Sequence, residues 1–127
     1  MAYPSDYKYT KEDEWIKVDG NVGTIGITDY AQNALGDIVF VELPKPGDKV
    51  TAGQTFGSVE SVKAVSDLFS PVTGTVKEVN GELATAPEKI NSDAHGSWMI
   101  KVELSDATLN GLLSANDYEA YVKERAQ

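Results

Sequence analysis

The sequence has no cysteine and a single histidine, His95. Without thiols there is no disulfide framework, no thiolate metal site and no cysteine nucleophile. One histidine cannot build a multi-histidine metal centre. Any part in redox or sulfur chemistry requires that the sulfur arrive on a cofactor, and a chain without thiols cannot form a mixed disulfide with that group. Basic residues are also scarce: 11 Lys and Arg stand against 20 Asp and Glu, a formal net charge of −9. That balance argues against nucleic-acid backbones and anionic membrane surfaces, which need Lys/Arg patches. No apolar run approaches the length that crosses a bilayer. The stretch Met1 to Asp6 has no basic flank, apolar core or Arg-rich amphipathic pattern, so it reads as neither a signal nor a transit peptide. The expectation is a cytoplasmic protein, or one of the mitochondrial matrix if a transit peptide has been removed. Catalytic signatures are missing too. There is no phosphate-cradling glycine loop, no His-Glu metal motif and no nucleophile elbow, and the carboxylates are scattered with nothing to single out a pair.

What is present suits one domain over residues 1–127, with 41% hydrophobic and 24% charged residues, enough to bury a core of its own. Short strand-like runs separated by turn residues fill most of it. Trp15 to Val18 and Val22 to Ile27 flank Asp19-Gly20-Asn21, a hairpin signal, and Gly23 and Gly26 weaken the second run or mark close approach of another backbone. Thr28 reads as a helix N-cap with Asp29 in the first turn, Tyr30 to Leu35 as the helix and Gly36 as its stop. Asp37 to Leu43 is an apolar run expected to form a central strand, ended by Pro44 to Asp48.

Lys49 to Thr51, Gln54 to Glu60, Thr75 to Val79 and Trp98 to Leu104 add strands, and Glu82 to Ser97 is the least regular part. The period changes near the C-terminus. Ser105-Asp106 opens a short helix carrying Leu109, Leu112 and Leu113, and Ser114-Ala115-Asn116-Asp117 makes a capping box for a last helix with Tyr118, Tyr121 and Val122 on its apolar face. Strands punctuated this often predict a mainly β fold, a barrel or sandwich, with a helical segment over about 105–125 packed across an open end of the sheets.

Around Ser61-Val62-Lys63-Ala64, the runs Phe56 to Val59 and Val65 to Phe69 alternate apolar and polar residues, which predicts a hairpin over about 56–70 with one buried face. Lys63 then stands at the tip, pointing into solvent between small or apolar neighbours. By number, most such lysines are plain surface residues. A carrier, however, needs only an exposed amine on a rigid, accessible turn that a modifying enzyme can acylate. The resulting arm raises the effective concentration of one intermediate among several active sites. Glu60 either marks the turn for that enzyme or is a solvated strand carboxylate.

Four stretches carry a resemblance: Tyr9-Thr10-Lys11-Glu12-Asp13-Glu14-Trp15, Val22-Gly23-Thr24-Ile25-Gly26-Ile27-Thr28-Asp29, Leu35 to Pro44, and Glu60-Ser61-Val62-Lys63-Ala64. In this order and spacing the chain resembles lipoyl carrier domains and, among them, the H-protein family of the glycine cleavage system. The resemblance covers nearly the whole chain. It implies a flattened barrel-sandwich hybrid of two antiparallel sheets with added helices, a monomer, and lipoic acid attached covalently to Lys63. Glu60, Val62 and Ala64 would be read by the modifying enzyme, a lipoate ligase or an octanoyl transferase followed by sulfur insertion. The carrier, itself no enzyme, would take an aminomethyl group from a pyridoxal-phosphate glycine decarboxylase to a folate-dependent aminomethyltransferase. A flavin-dependent dihydrolipoyl dehydrogenase would reoxidise the dithiol.

The amine carried on such an arm is open to attack by water, so an acidic, water-excluding cleft is implied. Glu14, beside Trp15, is the first candidate for it and Asp67 the second; the alternative for each is a solvated carboxylate. The family usually has histidine where Asp13 stands. The segment Asn91 to Trp98 departs from the usual Asp-Pro-Tyr followed by glycines and is one residue short, with His95 where an aromatic is expected.

Rival readings keep or change the fold. A lipoyl domain of a 2-oxoacid dehydrogenase, or a protein relaying lipoyl groups, would commonly carry Asp before the lysine, where this chain has Val62. A biotin carrier would flank the lysine with Met. A binding module would leave Lys63 unmodified, and a true enzyme would turn over a substrate without partners.

Overall fold

At the turn Asp19-Gly20-Asn21, Gly20 takes a φ of 60°, and β2 (Glu14–Asp19) folds back on β3 (Val22–Ile27) with Glu14 opposite Ile27. This computed structural model describes residues 3–105 and 111–125. Within it, β1 (Lys8–Tyr9), β2, β3, β9 (Ile100–Leu104), β8 (Gly74–Val79) and β5 (Lys49–Val50) form a six-stranded sheet in that order. A second, three-stranded sheet runs β4 (Ile38–Glu42), β6 (Thr55–Ser61), β7 (Val65–Phe69). All pairings are antiparallel. The fold is mainly β, two antiparallel sheets with short helices, as the sequence suggested.

Alternation within the strands builds the core between the sheets. Ile16, Ile25, Ile100 and Val102 from the large sheet meet Ile38, Val59 and Leu68 from the small one, all buried. A separate aromatic cluster centres on Tyr9, Trp15 and Tyr118. There α4 (Ala115–Arg125) packs its Tyr118 against Tyr9 with rings stacked 4.9 Å apart. Ser114 starts that helix as expected, its Oγ accepting from the Asp117 N–H. Thr28 likewise caps α1 (Asp29–Leu35), accepting from Ala31 N–H, and Gly36 ends it with a φ of 80°.

Three expectations are corrected. The run from Asp37 is not a central strand: β4 lies at the edge of its sheet, and β6 is central. A register shift between Ile38 and Phe40 leaves both Val39 and Phe40 about half exposed, so the apolar run does not mean burial on two faces. Gly23 and Gly26 are approached by side chains and not by backbone; a Cβ on Gly26 would lie 2.6 Å from the Trp15 ring.

The helical segment expected over about 105–125 is not continuous: among its described residues only Ala115–Arg125 is helical. Leu109 lies outside the described residues, whereas Leu112 and Leu113 are not helical. Leu113 exchanges two backbone hydrogen bonds with Tyr9, at 2.7 and 2.9 Å, which holds it extended against β1. The stretch Glu82 to Ser97, expected to be the least regular, holds two single-turn helices, α2 (Glu82–Thr85) and α3 (Lys89–Ser92), which bury Leu83 and Ile90.

Candidate functional site

The strands β6 and β7 carry the tip Ser61 to Ala64 between them, with Glu60 paired to Val65. One side chain orders the turn. The Ser61 Oγ accepts from the backbone N–H groups of Lys63 and Ala64, each at 3.1 Å, while Ser61 N–H donates to the Ala64 carbonyl at 2.8 Å. Val62 N–H donates to the Asp37 carbonyl at 3.0 Å, which ties the tip to the start of the neighbouring strand. Lys63 is exposed, and no ion pair to its ammonium occurs among the described residues.

The stem of Lys63 lies along Gly36, where an added Cβ would meet its Cε at 3.2 Å and its Nζ at 3.7 Å. Beneath that glycine sits Asn91, which the sequence did not single out. Its Nδ2 donates to the Gly36 carbonyl and to Gln32 Oε1, both at 2.9 Å, and its Oδ1 accepts from Ile38 N–H at 2.9 Å. The lysine is therefore a free amine over a braced floor.

A cleft of about 140 Å³ runs between α1 and the free edge of β7. It is lined by Glu14, Asp67, Glu12 and Asp13, and by apolar Ile27, Ala31, Leu35 and Leu68, so both sequence candidates fall in one place. Leu35 precedes the glycine that Lys63 covers, so the cleft begins close to the tip. Glu14 is 2% exposed. Thr10 donates its hydroxyl to Oε1 at 2.7 Å, and Phe69 N–H donates to Oε2 at 3.3 Å. Burial raises the Glu14 carboxyl from 4.5 to about 8 against those two hydrogen bonds, with the charges of Glu12 and Asp13 adding to the rise. A carboxyl held this way, in no ion pair among the described residues, is chemically able to accept a cation. Glu60, Val62 and Ala64 are exposed around the tip, and Asp67 is an exposed residue of the cleft rim.

Asp13 turns out to be structural. It has a φ of 70°, and its backbone carbonyl accepts from Thr28 N–H at 2.9 Å. Its carboxylate takes both guanidinium nitrogens of Arg125 and the Tyr118 hydroxyl, and Arg125 stacks on the rings of Tyr30 and Tyr121. The C-terminal helix thus clamps the turn that aims Glu14. Nothing local in the sequence pairs residues 13 and 125.

His95 joins the aromatic cluster, edge-on to Tyr3 and Tyr7, and its Nε2 accepts from Asp29 N–H at 3.2 Å. Burial holds its pKa below 6.5 despite the opposing pull of Asp29 and Asp93. It does not line the cleft. A larger open depression of about 650 Å³ lies at Glu78 to Trp98, but its Lys89 is already paired with Glu82 at 2.9 Å.

The residues present fit a covalently attached acyl group: a reachable amine stands at the tip, and a cleft that begins beside it holds an uncompensated acid. Among the described residues no group of acidic or histidine side chains is arranged to hold a metal, and no helix is long and apolar enough to cross a membrane.

Comparison with known proteins points the same way. The family model described as glycine cleavage H-protein matches residues 7–125. The glycine cleavage system H protein of Acidobacterium capsulatum is 68% identical over 125 residues, covering 98% of this chain and 97% of that one. That of Koribacter versatilis is 67% identical over 127 residues, covering 99% and 98%. A crystal structure of a glycine cleavage system H protein from Mycobacterium marinum superposes with a TM-score of 0.87 at 39% identity, covering 94% of this chain and 98% of that one.

Proposed function

The chain belongs to the glycine cleavage H-protein family, whose members are lipoyl carriers and not catalysts, and from that premise we propose that Lys63 is the attachment point and the Glu14 cleft the resting place of its cargo. The observation that carries the reading is the juxtaposition of a free amine on an ordered tip with a cleft whose buried acid lacks a counter-charge. Lipoate, when bound, supplies the sulfur that this sequence does not have. The protein's own residues do the rest. Ser61 holds the tip rigid, Gly36 and Asn91 support the lysine stem, and Glu60, Val62 and Ala64 present the lysine to the enzyme that acylates it.

At the cleft, Glu14 and Asp67 pair with a protonated primary amine, while Ile27, Ala31, Leu35 and Leu68 exclude water from the carbon beside it. The partners of this reading are a pyridoxal-phosphate decarboxylase, a folate-dependent aminomethyltransferase, a dihydrolipoyl dehydrogenase and a lipoate ligase or octanoyl transferase. The protein works as one monomeric domain in the bacterial cytoplasm.

The test is the intact mass of protein isolated from lipoate-replete cells, with a tryptic map, beside a Lys63→Arg variant. One lipoyl increment on Lys63, absent from the variant and needed for glycine–bicarbonate exchange with the decarboxylase, is expected. An unmodified Lys63, or full exchange by the variant, overturns the assignment.

A further inference from the structure

Large apolar side chains are exposed at four places among the described residues, and all four surround Lys63. Val39 is 52% exposed, Phe40 50%, Val62 67% and Val65 64%. Register aligns two of them across the small sheet: Phe40 lies opposite Glu60, and Glu60 opposite Val65. The shift at Ile38/Phe40 adds Val39 to the exposed side, and Val62 stands at the tip beside the lysine. The next row reads Glu42, Ser58, Asp67. Across β4, β6, β7 and the tip, Lys63 is the sole basic residue. Among the described residues, an acidic protein therefore gathers its large exposed apolar side chains at the tip end of the small sheet, two of them in one row with a carboxylate between them.

Burial within this chain does not explain these side chains, and such patches mark contacts with other proteins. We infer that the Val39, Phe40, Val62 and Val65 surface with Glu60 at its centre is the docking face for the enzyme that acylates Lys63. This rests on the assignment of Lys63 above.

The choice of occupant follows from reach. An acylating enzyme must bring an activated acyl carbonyl to Nζ itself. The amide bond from that carbon to Nζ forms, the bond from that carbon to its activating phosphate or thiol breaks, and an Nζ proton departs with the leaving group. Its walls must therefore close on the tip and the row next to it. Enzymes that act on the far end of an arm need no such contact. The face also specifies its complement: an apolar surface carrying a basic group that meets Glu60, with the remaining acidic residues setting the approach.

The experiment uses the full-length apoprotein with a purified lipoate ligase, lipoate and ATP, following the mass increment on Lys63 at several protein concentrations. Phe40→Ser and Val65→Thr are expected to raise KM for the protein about tenfold each, with kcat within about twofold, as for loss of an interface anchor. Circular dichroism and Tm should match the wild type, because neither side chain is buried. The same variants, lipoylated to completion, should exchange glycine carboxyl with the decarboxylase at the wild-type KM.

Unchanged KM for acylation overturns the inference. So does a raised KM confined to the decarboxylase assay, which would give the face to that partner, and so does a wild-type dimer that Phe40→Ser dissociates. A wild-type protein that gains no mass at Lys63 would instead remove the underlying assignment.

Discussion

Glu14 gives the most direct physical test. It is a buried carboxyl with two donors and no cation, raised from 4.5 to about 8 chiefly by desolvation. Between those values the folded protein holds a proton that the unfolded chain has released. Stability therefore falls as pH rises through the window, by about 1.4 kcal/mol per unit. Below 4.5 both states are protonated and the full contribution is present; above about 8 it is gone, a total of about 5 kcal/mol.

Glu14→Gln keeps the volume and cannot titrate. It is expected to cost about 1 kcal/mol at pH 5, through a poorer match to its two donors. The gap between wild type and variant should then close and reverse by pH 8.5. Urea unfolding at half-unit steps from pH 4.5 to 9 gives the two curves, and carbon-detected NMR of the Glu14 carboxyl gives the midpoint directly. Parallel curves, or a midpoint near 4.5, would refute the account of the cleft as a desolvated acid. The same balance predicts that a cation entering the cleft expels the proton. Capture of an amine should strengthen from pH 6 to 8, and a small primary ammonium ion should lower the Glu14 midpoint.

Three further outcomes follow. Arg125→Gln should cost about 2 kcal/mol in urea unfolding, because it strips a charged partner from the partly covered Asp13 carboxylate, and a double-mutant cycle with Asp13→Asn should show coupling. Asp13→Asn should also lower the Glu14 midpoint, since the Asp13 charge helps raise it. Gly26→Ala should destabilise by about 2 kcal/mol, because a Cβ 2.6 Å from the Trp15 ring forces that ring off the aromatic cluster; near-UV circular dichroism would register the shift. His95 has a folded pKa below its unfolded 6.5, so the unfolded state binds the extra proton and stability is lost as pH falls below that value. His95→Gln offers Asp29 N–H an acceptor without a titration, and its Tm should be flatter than the wild type's between pH 7 and 5.

The parts readable in the sequence are those whose cause is local. The Asp19-Gly20 turn, the Thr28 cap, the Gly36 stop and the Ser114 capping box all work through residues within a few positions of one another, and each is found where its chemistry places it. The lysine hairpin was legible for the same reason. The misreadings concern partners distant in sequence. Nothing in Asp37 to Leu43 says that β4 has one neighbour and not two, and the apolar run that suggested a central strand is exposed at Val39 and Phe40. Leu112 and Leu113 have helical spacing from Leu109, yet the Tyr9 backbone pairs with Leu113, a contact across 104 positions. Asn91 and Arg125 stayed invisible because each matters through residues far along the chain: Gly36 and Ile38 for one, Asp13 for the other. Family resemblance located Glu14, but only the structure supplies its burial and hence its chemistry.

The small sheet explains why the acid and the lysine occur together. A three-stranded sheet has two free edges, and bare edges invite pairing with other chains. On the β7 side, the N–H of Phe69 is taken by the Glu14 carboxyl; on the β4 side, the N–H of Ile38 is taken by Asn91. Side chains therefore blunt the edges where a further strand would have done so in a larger sheet. A strand there would have filled the space that now forms the cleft and would have buried the approach to the tip. Because a carboxyl closes the β7 edge, that edge carries a buried acid among the lining of the cleft. The arrangement that prevents edge pairing thus also leaves a buried acid in the lysine's neighbourhood, on the same sheet as the exposed apolar side chains proposed as the face for the acylating enzyme.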